Sequence, residues 1–175
     1  MRELRIIVDT REKQPLLFPQ HLTALDRNRP GSTVLYRVTT SNETLEYGDY
    51  LSPDARHAVV IERKKNLREL CGNCLVPRKR ANFIRELQNF RDRVCFPWLL
   101  LEGSLEDLEQ GPGDEKKNVL ARDMLIDLLH EFGVSFMCAK NRTRPQRLAC
   151  GRWVAATILS GIHYGDHQCC EEVPR

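Results

Sequence analysis

The sequence predicts an α/β domain in which helices cover a mixed central β-sheet. Two observations lead to this prediction: strand-like and helix-like patterns alternate along the chain, and its 175 residues suffice for one domain with a substantial core. A content of 41% hydrophobic and 29% charged residues is ordinary for a globular protein. No apolar run reaches the roughly eighteen residues of a membrane-spanning helix. Residues 1–160 are therefore expected to form one domain, followed by a flexible tail over residues 161–175.

The predicted strands combine β-branched or alternating apolar residues with turn-forming residues at their ends. They cover residues 4–9, 32–40, 44–51, 57–64, 94–103 and 134–139.

The predicted helices repeat apolar residues every three or four positions, as Phe83, Leu87 and Phe90 do. Trp98 and Trp153 lie in apolar segments and are expected in the core. The predicted helices cover residues 66–71, 78–93, 104–110 with Ser104 as the N-cap, 119–132 and 144–160.

The net charge of +3 is small, but the basic residues are clustered. One cluster lies on the helix at residues 78–93, and a second lies in residues 132–165, a stretch without any acidic residue. Clusters of one sign suit a polyanion such as nucleic acid, although either cluster alone is equally consistent with a solvated surface. The candidate DNA contacts are Arg78, Lys79, Arg80, Arg85, Lys140, Arg142, Arg144 and Arg147.

The seven cysteines are an odd number spread through apolar contexts, which favours reduced, buried thiols over a disulfide framework. The thiols expected to pack as small apolar side chains are Cys71, Cys95, Cys138 and Cys150. An alternative is a zinc-organised interaction protein, because a zinc site takes four ligands and the sequence contains two cysteine pairs. These pairs are Cys71 with Cys74 and Cys169 with Cys170.

The candidate chemistry lies in a predicted hairpin. A loop over residues 53–58 places Asp49 opposite Glu62 on the neighbouring strand. Two carboxylates that close repel unless a divalent cation lies between them, and oxygen ligands suit Mg²⁺ or Mn²⁺. Lys64 points to the same face as Glu62, where its charge can stabilise a phosphate or orient a water. Arg63 points to the opposite face, towards a neighbouring phosphate or carboxylate. This set is typical of metal-assisted phosphodiester hydrolysis, and the alternative interpretation is an ordinary exposed hairpin that ends in a Glu–Lys pair on one face.

Three motifs, in this order, resemble the nuclease core of the XPF-like structure-specific endonucleases: IIVDTRE, EYGDYL and VVIERK. RKRANFIRELQNFR is similar to the basic helix of that family, and FPWLLLEGSLEDL to its next strand and helix. The resemblance covers residues 4–160 and is greatest to bacterial or phage single-domain versions. It implies a restriction-endonuclease-like core, use of Mg²⁺ or Mn²⁺, and cleavage of DNA at forks, flaps and junctions.

The resemblance also implies roles for individual residues. Asp49 and Glu62 would bind the metal, and Lys64 would be the catalytic lysine. Asp9 and Arg11 match the first motif and would lie beside the metal.

Further family positions fall on basic residues. Arg63 matches the middle residue of the family's Glu-Arg-Lys, with its carbonyl near the metal, and Arg80 would bind phosphate or brace the site. The family's final Asp falls on Arg68, so the neighbouring Glu69 is the candidate accessory acid.

The sequence therefore predicts a Mg²⁺- or Mn²⁺-dependent DNA endonuclease acting on branched DNA. The helix-hairpin-helix and helicase segments of larger family members are not found, so a bare nuclease core is expected. Its expected partners are DNA and either a second copy or a DNA-targeting protein, its expected location is the cytoplasm, and no membrane is involved. The alternative is a weak or inactive nuclease-fold module that binds DNA as a scaffold or dimer partner.

Overall fold

A computed structural model of the chain describes residues 1–111 and 113–168, with side chains up to residue 165. Within these residues the chain forms a seven-stranded sheet and five α-helices. The strands are β1 (Arg2–Asp9), β2 (His21–Leu25), β3 (Thr33–Glu43), β4 (Tyr50–Leu51), β5 (Val59–Lys64), β6 (Phe96–Leu101) and β7 (Ser135–Cys138). The helices are α1 (Leu67–Leu75), α2 (Pro77–Arg93), α3 (Leu105–Gln110), α4 (Glu115–Phe132) and α5 (Arg144–Gln168).

The sheet is mixed and has the order β2-β3-β1-β4-β5-β6-β7. Strand β4 is antiparallel to both β1 and β5, whereas β5, β6 and β7 are parallel to one another. Strands β1, β5, β6 and β7 therefore all end at the same edge of the sheet, which we call the carboxyl edge. Because β4 pairs through only two residues on each side, it forms a narrow seam between the two halves of the sheet.

Helices cover both faces of the sheet. Helices α1, α2 and α4 pack on one face, where Val60 contacts a core that includes Phe83. Helix α5 covers the other face, where Ile61 belongs to a core with Val154 and Ile158. Successive residues of β5 thus point to different cores, as strand geometry requires.

The predicted mixed sheet with flanking helices is confirmed, but three elements differ from the prediction. Strand β2 was not predicted, because it has only five residues and Leu22 is its only buried one. Strand β4 has two residues instead of eight, because Gly48 has a φ of 74° and interrupts extended backbone. Helix α5 continues past the predicted end at residue 160 to Gln168, and residues 169–175 of the expected tail lie outside the described part.

Two predictions of burial are wrong. Trp153 is 67% exposed, because it lies at the flank of the buried stripe of α5. Cys95 is exposed just before β6 and is disulfide-bonded, contrary to the expected reduced thiol, whereas Cys74 and Cys150 are buried free thiols. No helix in the described ranges is both long and apolar enough to cross a membrane.

Candidate active site

A cleft of about 500 Å³ opens at the carboxyl edge beside β5 and α2. It is lined by acidic, basic and amide side chains, which suits a polar substrate rather than an apolar ligand. Its lining includes Arg11, Tyr47, Asp49, Glu62, Asn82, Arg85, Glu86 and Asn89.

The predicted hairpin register is confirmed, with Tyr50 opposite Ile61 in the ladder. One step beyond this pair, the Asp49 amide donates to the Ile61 carbonyl at 2.9 Å. The Arg63 amide donates to Asp49 Oδ2 at 2.7 Å. The register therefore brings Asp49 and Glu62 to the same cleft, as the sequence predicted.

Both carboxyl groups are held in a way that makes their ionised forms costly. Burial raises the pKa of Asp49 to about 7, against the bond from the Arg63 amide, and nearby acids add to the rise. Burial likewise raises the pKa of Glu62 well above its ordinary value, with Asp49 contributing by repulsion although Lys64 opposes the shift. A cation between them would relieve this repulsion.

Lys64 lies between two carboxylates with its side chain only 6% exposed. Its Nζ is 2.5 Å from Glu62 Oε1 and 3.2 Å from Glu86 Oε2, and it lies 5.2 Å from the centre of the Phe83 ring. Burial alone would lower the pKa of Lys64, but the two carboxylates outweigh it and the pKa lies above its ordinary value. Lys64 is therefore a fixed positive charge and not a proton acceptor at neutral pH.

Glu86 was missed by the sequence analysis. It lies on α2 next to Leu87 and three residues after Phe83, and both of these apolar residues are buried. This position beside the buried stripe was the available signal, because it places an acid on the face of α2 that meets the sheet.

Asp9 and Arg11 lie beside the site in different roles. The Asp9 side chain is fully buried and pairs with Arg11, and the Asp9 amide donates to the Asp49 carbonyl at 2.9 Å. Burial would raise the pKa of Asp9, but the bonds from Arg11 outweigh it and the pKa is lowered. The Arg11 side chain is 63% exposed and lines the cleft, so Asp9 holds a basic group there without lining the cleft itself.

The structure separates two predicted residues from this cleft. The Arg63 side chain lies on the opposite face of the sheet, next to Glu12 and Glu102, as alternation predicted. Glu69 Oε2 accepts from the Lys65 amide at 3.1 Å and lines a neighbouring cleft. Besides Glu62, the acid that contacts Lys64 is Glu86 from α2.

The predicted DNA contacts form two exposed groups and one partly buried residue. Arg78, Lys79 and Arg80 are exposed on the first turn of α2, the same helix that carries Arg85 into the cleft.

The second group follows β7 at the carboxyl edge. Lys140, Arg142 and Arg144 are exposed, whereas Arg147 is partly buried and its Nη2 donates to the Pro15 carbonyl at 2.7 Å.

Asp49 and Glu62 are the side chains that could hold Mg²⁺ or Mn²⁺. Among the described residues, hydrogen bonds reach Asp49 Oδ2 and Glu62 Oε1, and no donor is aimed at the second oxygen of either group. Two hard oxygen ligands with spare lone pairs fit Mg²⁺, which keeps several waters and takes few carboxylates.

The thiol alternative finds less support. Within the described ranges, no group of three or more His, Cys, Asp or Glu side chains is arranged to hold a metal. Burial raises the pKa of Cys74 to about 12 and also raises that of Cys71, which disfavours the thiolates that bind zinc. Cys169 and Cys170 lie outside the described residues.

The sheet order, the flanking helices and the cleft at strand ends define an α/β domain with a restriction-endonuclease-like core. Among solved structures, XPF from Aeropyrum pernix has a similar fold, with a TM-score of 0.54 and 15% identity over 95% of this chain and 67% of that chain. XPF from the same organism in complex with DNA gives a TM-score of 0.53 and 14% identity over 97% of this chain and 68% of that chain. The chain thus shares its fold with XPF, as the motifs implied. No family model and no curated protein matches the sequence.

Proposed function

We propose that this chain is a divalent-metal-dependent endonuclease that hydrolyses phosphodiester bonds in branched DNA such as forks and flaps. The observation that supports it most is that Asp49 and Glu62 line one polar cleft and that buried Lys64 pairs with Glu62 beside it. The similarity of fold to XPF, one example of which is in complex with DNA, agrees with a nucleic-acid substrate.

Asp49 and Glu62 would hold Mg²⁺ or Mn²⁺ through their second carboxylate oxygens. When bound, such an ion polarises a phosphoryl oxygen and lowers the pKa of a bound water. Asp49 must lose its proton to serve as a ligand, so its raised pKa makes ion binding depend on pH near neutrality.

The basic side chains of the cleft would act on the phosphate. Lys64 keeps its charge at neutral pH and stabilises the negative charge that develops on the phosphoryl group. Arg11 and Arg85 line the same cleft and would orient the DNA backbone without reading sequence. The exposed groups on α2 and after β7 would extend this interaction along the DNA.

The test is a cleavage panel of labelled single strand, duplex, flap, fork and four-way junction with Mg²⁺, with Mn²⁺ and with EDTA. We expect nicking of branched substrates only with metal, and its loss in Glu62→Gln, which keeps size and removes one charge. Gln88→Glu is a matched control that alters charge at an exposed position of α2. Nicking that survives in EDTA or in Glu62→Gln would contradict the proposal.

A second candidate is a nuclease-fold module that binds DNA with weak or no cleavage, as a scaffold or dimer partner. It is favoured by Arg68, which stands where the resemblance expects an acid, and by Glu69, which lines another cleft. Tight fork binding without metal-dependent nicking would establish this candidate.

A further inference from the structure

The Arg63 side chain is the centre of a buried ionic cluster on the α5 face of the sheet. Its Nε lies 3.0 Å from Glu12 Oε2, its Nη1 lies 2.9 Å from Glu102 Oε1, and Nη1 also donates to the Gln14 carbonyl at 2.7 Å. Only 4% of the side chain is exposed. Both carboxylates therefore already pair with the guanidinium, which lies on the face of the sheet opposite the cleft that Asp49 and Glu62 line.

The cluster continues into neighbouring elements. The Tyr50 hydroxyl, next in sequence to Asp49, donates to Glu12 Oε2 at 3.3 Å and accepts from the Leu16 amide at 3.1 Å. On the other side, the Asn141 side-chain amide donates to Glu102 Oε1. The loops after β1, β6 and β7 are thereby tied to the end of β5.

The cluster crosses the seam of the sheet. Glu12 follows β1 on one side of β4, whereas Arg63 and Glu102 belong to or follow β5 and β6 on the other side. Ladder bonds across β4 are few, since each of its sides has two paired residues. The ion pairs therefore supply a second connection between the halves of the sheet.

The same residue reaches the candidate metal ligands through its backbone. The Arg63 amide donates to Asp49 Oδ2 at 2.7 Å, and Arg63 stands between Glu62 and Lys64. The ion pairs that anchor the Arg63 side chain on the α5 face therefore also anchor the Arg63 backbone. This backbone orients Asp49, Glu62 and Lys64 on the other face.

We propose that Arg63, with Glu12 and Glu102, is a positioning residue that holds Asp49 and Glu62 at the spacing needed for a divalent ion, and that its side chain does not contact DNA. This inference rests on the proposed function. It deepens that function by assigning an indirect role to the middle residue of the Glu62-Arg63-Lys64 motif.

The test compares the full-length chain with its Arg63→Gln and Glu12→Gln variants. We expect amide exchange at residue 63 to become at least about tenfold faster and the Kd for Mn²⁺ to rise about tenfold in both variants, because the hydrogen bond to Asp49 loosens. The turnover number for nicking of a fork should fall when the variants are assayed at the metal concentration used for the wild type. The KM for DNA and the salt dependence of fork binding in EDTA should not change.

Arg85→Ala is the matched comparison, because Arg85 lines the cleft and is exposed. It should lower the slope of log affinity against log salt by about 0.9, because one phosphate fewer is neutralised by the protein. Mn²⁺ affinity and exchange at residue 63 should stay at wild-type values in this variant.

Three outcomes would overturn the inference. A variant of Arg63 with wild-type Mn²⁺ affinity but a smaller salt slope would make the side chain a DNA-binding group. If Arg63→Gln does not fold, Glu12→Gln decides alone: freeing a DNA-binding arginine from an acid would tighten fork binding, whereas a positioning role weakens Mn²⁺ binding. Unchanged exchange at residue 63 in both variants would remove the physical basis of the proposal.

The proposed function fails separately. A wild-type chain that neither binds Mn²⁺ nor nicks any substrate would overturn the nuclease and, with it, the metal-positioning role. A wild-type chain that binds Mn²⁺ and nicks DNA, with variants that do the same, would overturn the positioning role alone.

Discussion

Lys64 shows how a buried charge can be fixed by its neighbours. The ammonium group meets two carboxylates and an aromatic face, and these interactions outweigh the cost of burial. A lysine held in this way cannot take a proton from water at neutral pH. Its contribution must be electrostatic.

The first prediction concerns this charge. Lys64→Met should lower turnover on the order of 10²–10³-fold, because a fixed charge near the phosphate is removed. Mn²⁺ should still bind at alkaline pH, because the second oxygens of Asp49 and Glu62 remain available, but more weakly at neutral pH, because loss of Lys64 raises the pKa of Glu62 further. Single-turnover cleavage and calorimetry measure the two effects, with the exposed neighbour Lys65→Met as control. A variant with normal turnover would show that the charge plays no part.

The second prediction concerns Asp49 in the metal-free protein. Its pKa rises from 3.8 to about 7 on folding, so the native state retains a proton that the unfolded chain has released. Stability from this group is present below about pH 4 and is lost as pH rises through about 7. Asp49→Asn should therefore stabilise the chain in EDTA at pH 8.5, on the order of 2 kcal/mol relative to its effect at pH 5.

Urea unfolding at both pH values measures this difference, with exposed Asp92→Asn as the control. The same Asp49→Asn variant should lose Mn²⁺ binding. A variant less stable than wild type at pH 8.5 would mean that the Asp49 carboxylate is not destabilising.

At the scale of elements, the β4–β5 hairpin depends on a glycine. Gly48 has a positive φ, and a Cβ there would lie 2.1 Å from Val60 Cγ1. Gly31 has a similar φ of 80°, but nothing lies within 4 Å of its Cβ position. The two residues separate backbone strain from steric overlap.

The third prediction uses this pair. Gly31→Ala should cost about 1 kcal/mol of unfolding free energy from strain alone, whereas Gly48→Ala should cost roughly 1–3 kcal/mol more. Gly48→Ala should also weaken Mn²⁺ binding, because Asp49 is the next residue. Urea unfolding and calorimetry provide the measurements. Equal costs at the two positions would mean that Val60 can move aside.

The hairpin register could be predicted because a recognisable turn precedes the apolar residues of β5. Alternation with a period of two then determines which side chains share a face. Strand β2 could not, since it buries only Leu22. Burial of Trp153 could not be judged, because an apolar helix pattern does not say how wide the covered stripe is.

The candidate site was predictable only in part, because some of its residues come from distant segments of the chain. Asp49, Glu62 and Lys64 lie on one hairpin and share a local geometry. Glu86 arrives on a packed helix and Glu102 from the end of another strand, so only tertiary structure brings them near. Local patterns say nothing about such distant pairings.

At the scale of the whole molecule, exposed basic residues lie on α2 and after β7, whereas Arg29 lies in the loop between β2 and β3 at the opposite edge. The electrostatic potential at the surface is therefore uneven although the net charge is only +3. Affinity for DNA should follow this distribution and not the total.

The fourth prediction tests the field. The triple variant Arg78→Ala, Lys79→Ala and Arg80→Ala should bind a fork more weakly, with a salt slope smaller by about 0.9 for each phosphate that the protein no longer neutralises. The effect should be similar for forks of different sequence. Arg29→Ala should leave the slope unchanged. Fluorescence anisotropy across a salt series makes the measurement, and equal slopes for all three proteins would exclude α2 from the DNA path.

The two-residue strand β4 has a mechanical consequence. A sheet bends most easily where the fewest ladder pairs connect its strands, which in this sheet is at β4. Asp49 directly precedes β4, and Glu62 lies on the neighbouring strand β5. On warming, the pairing of β4 with β1 and β5 should be lost before the two halves of the sheet unfold. The proposed ion binding can then be lost while the helical circular-dichroism spectrum is unchanged. That spectrum therefore does not report on the candidate site.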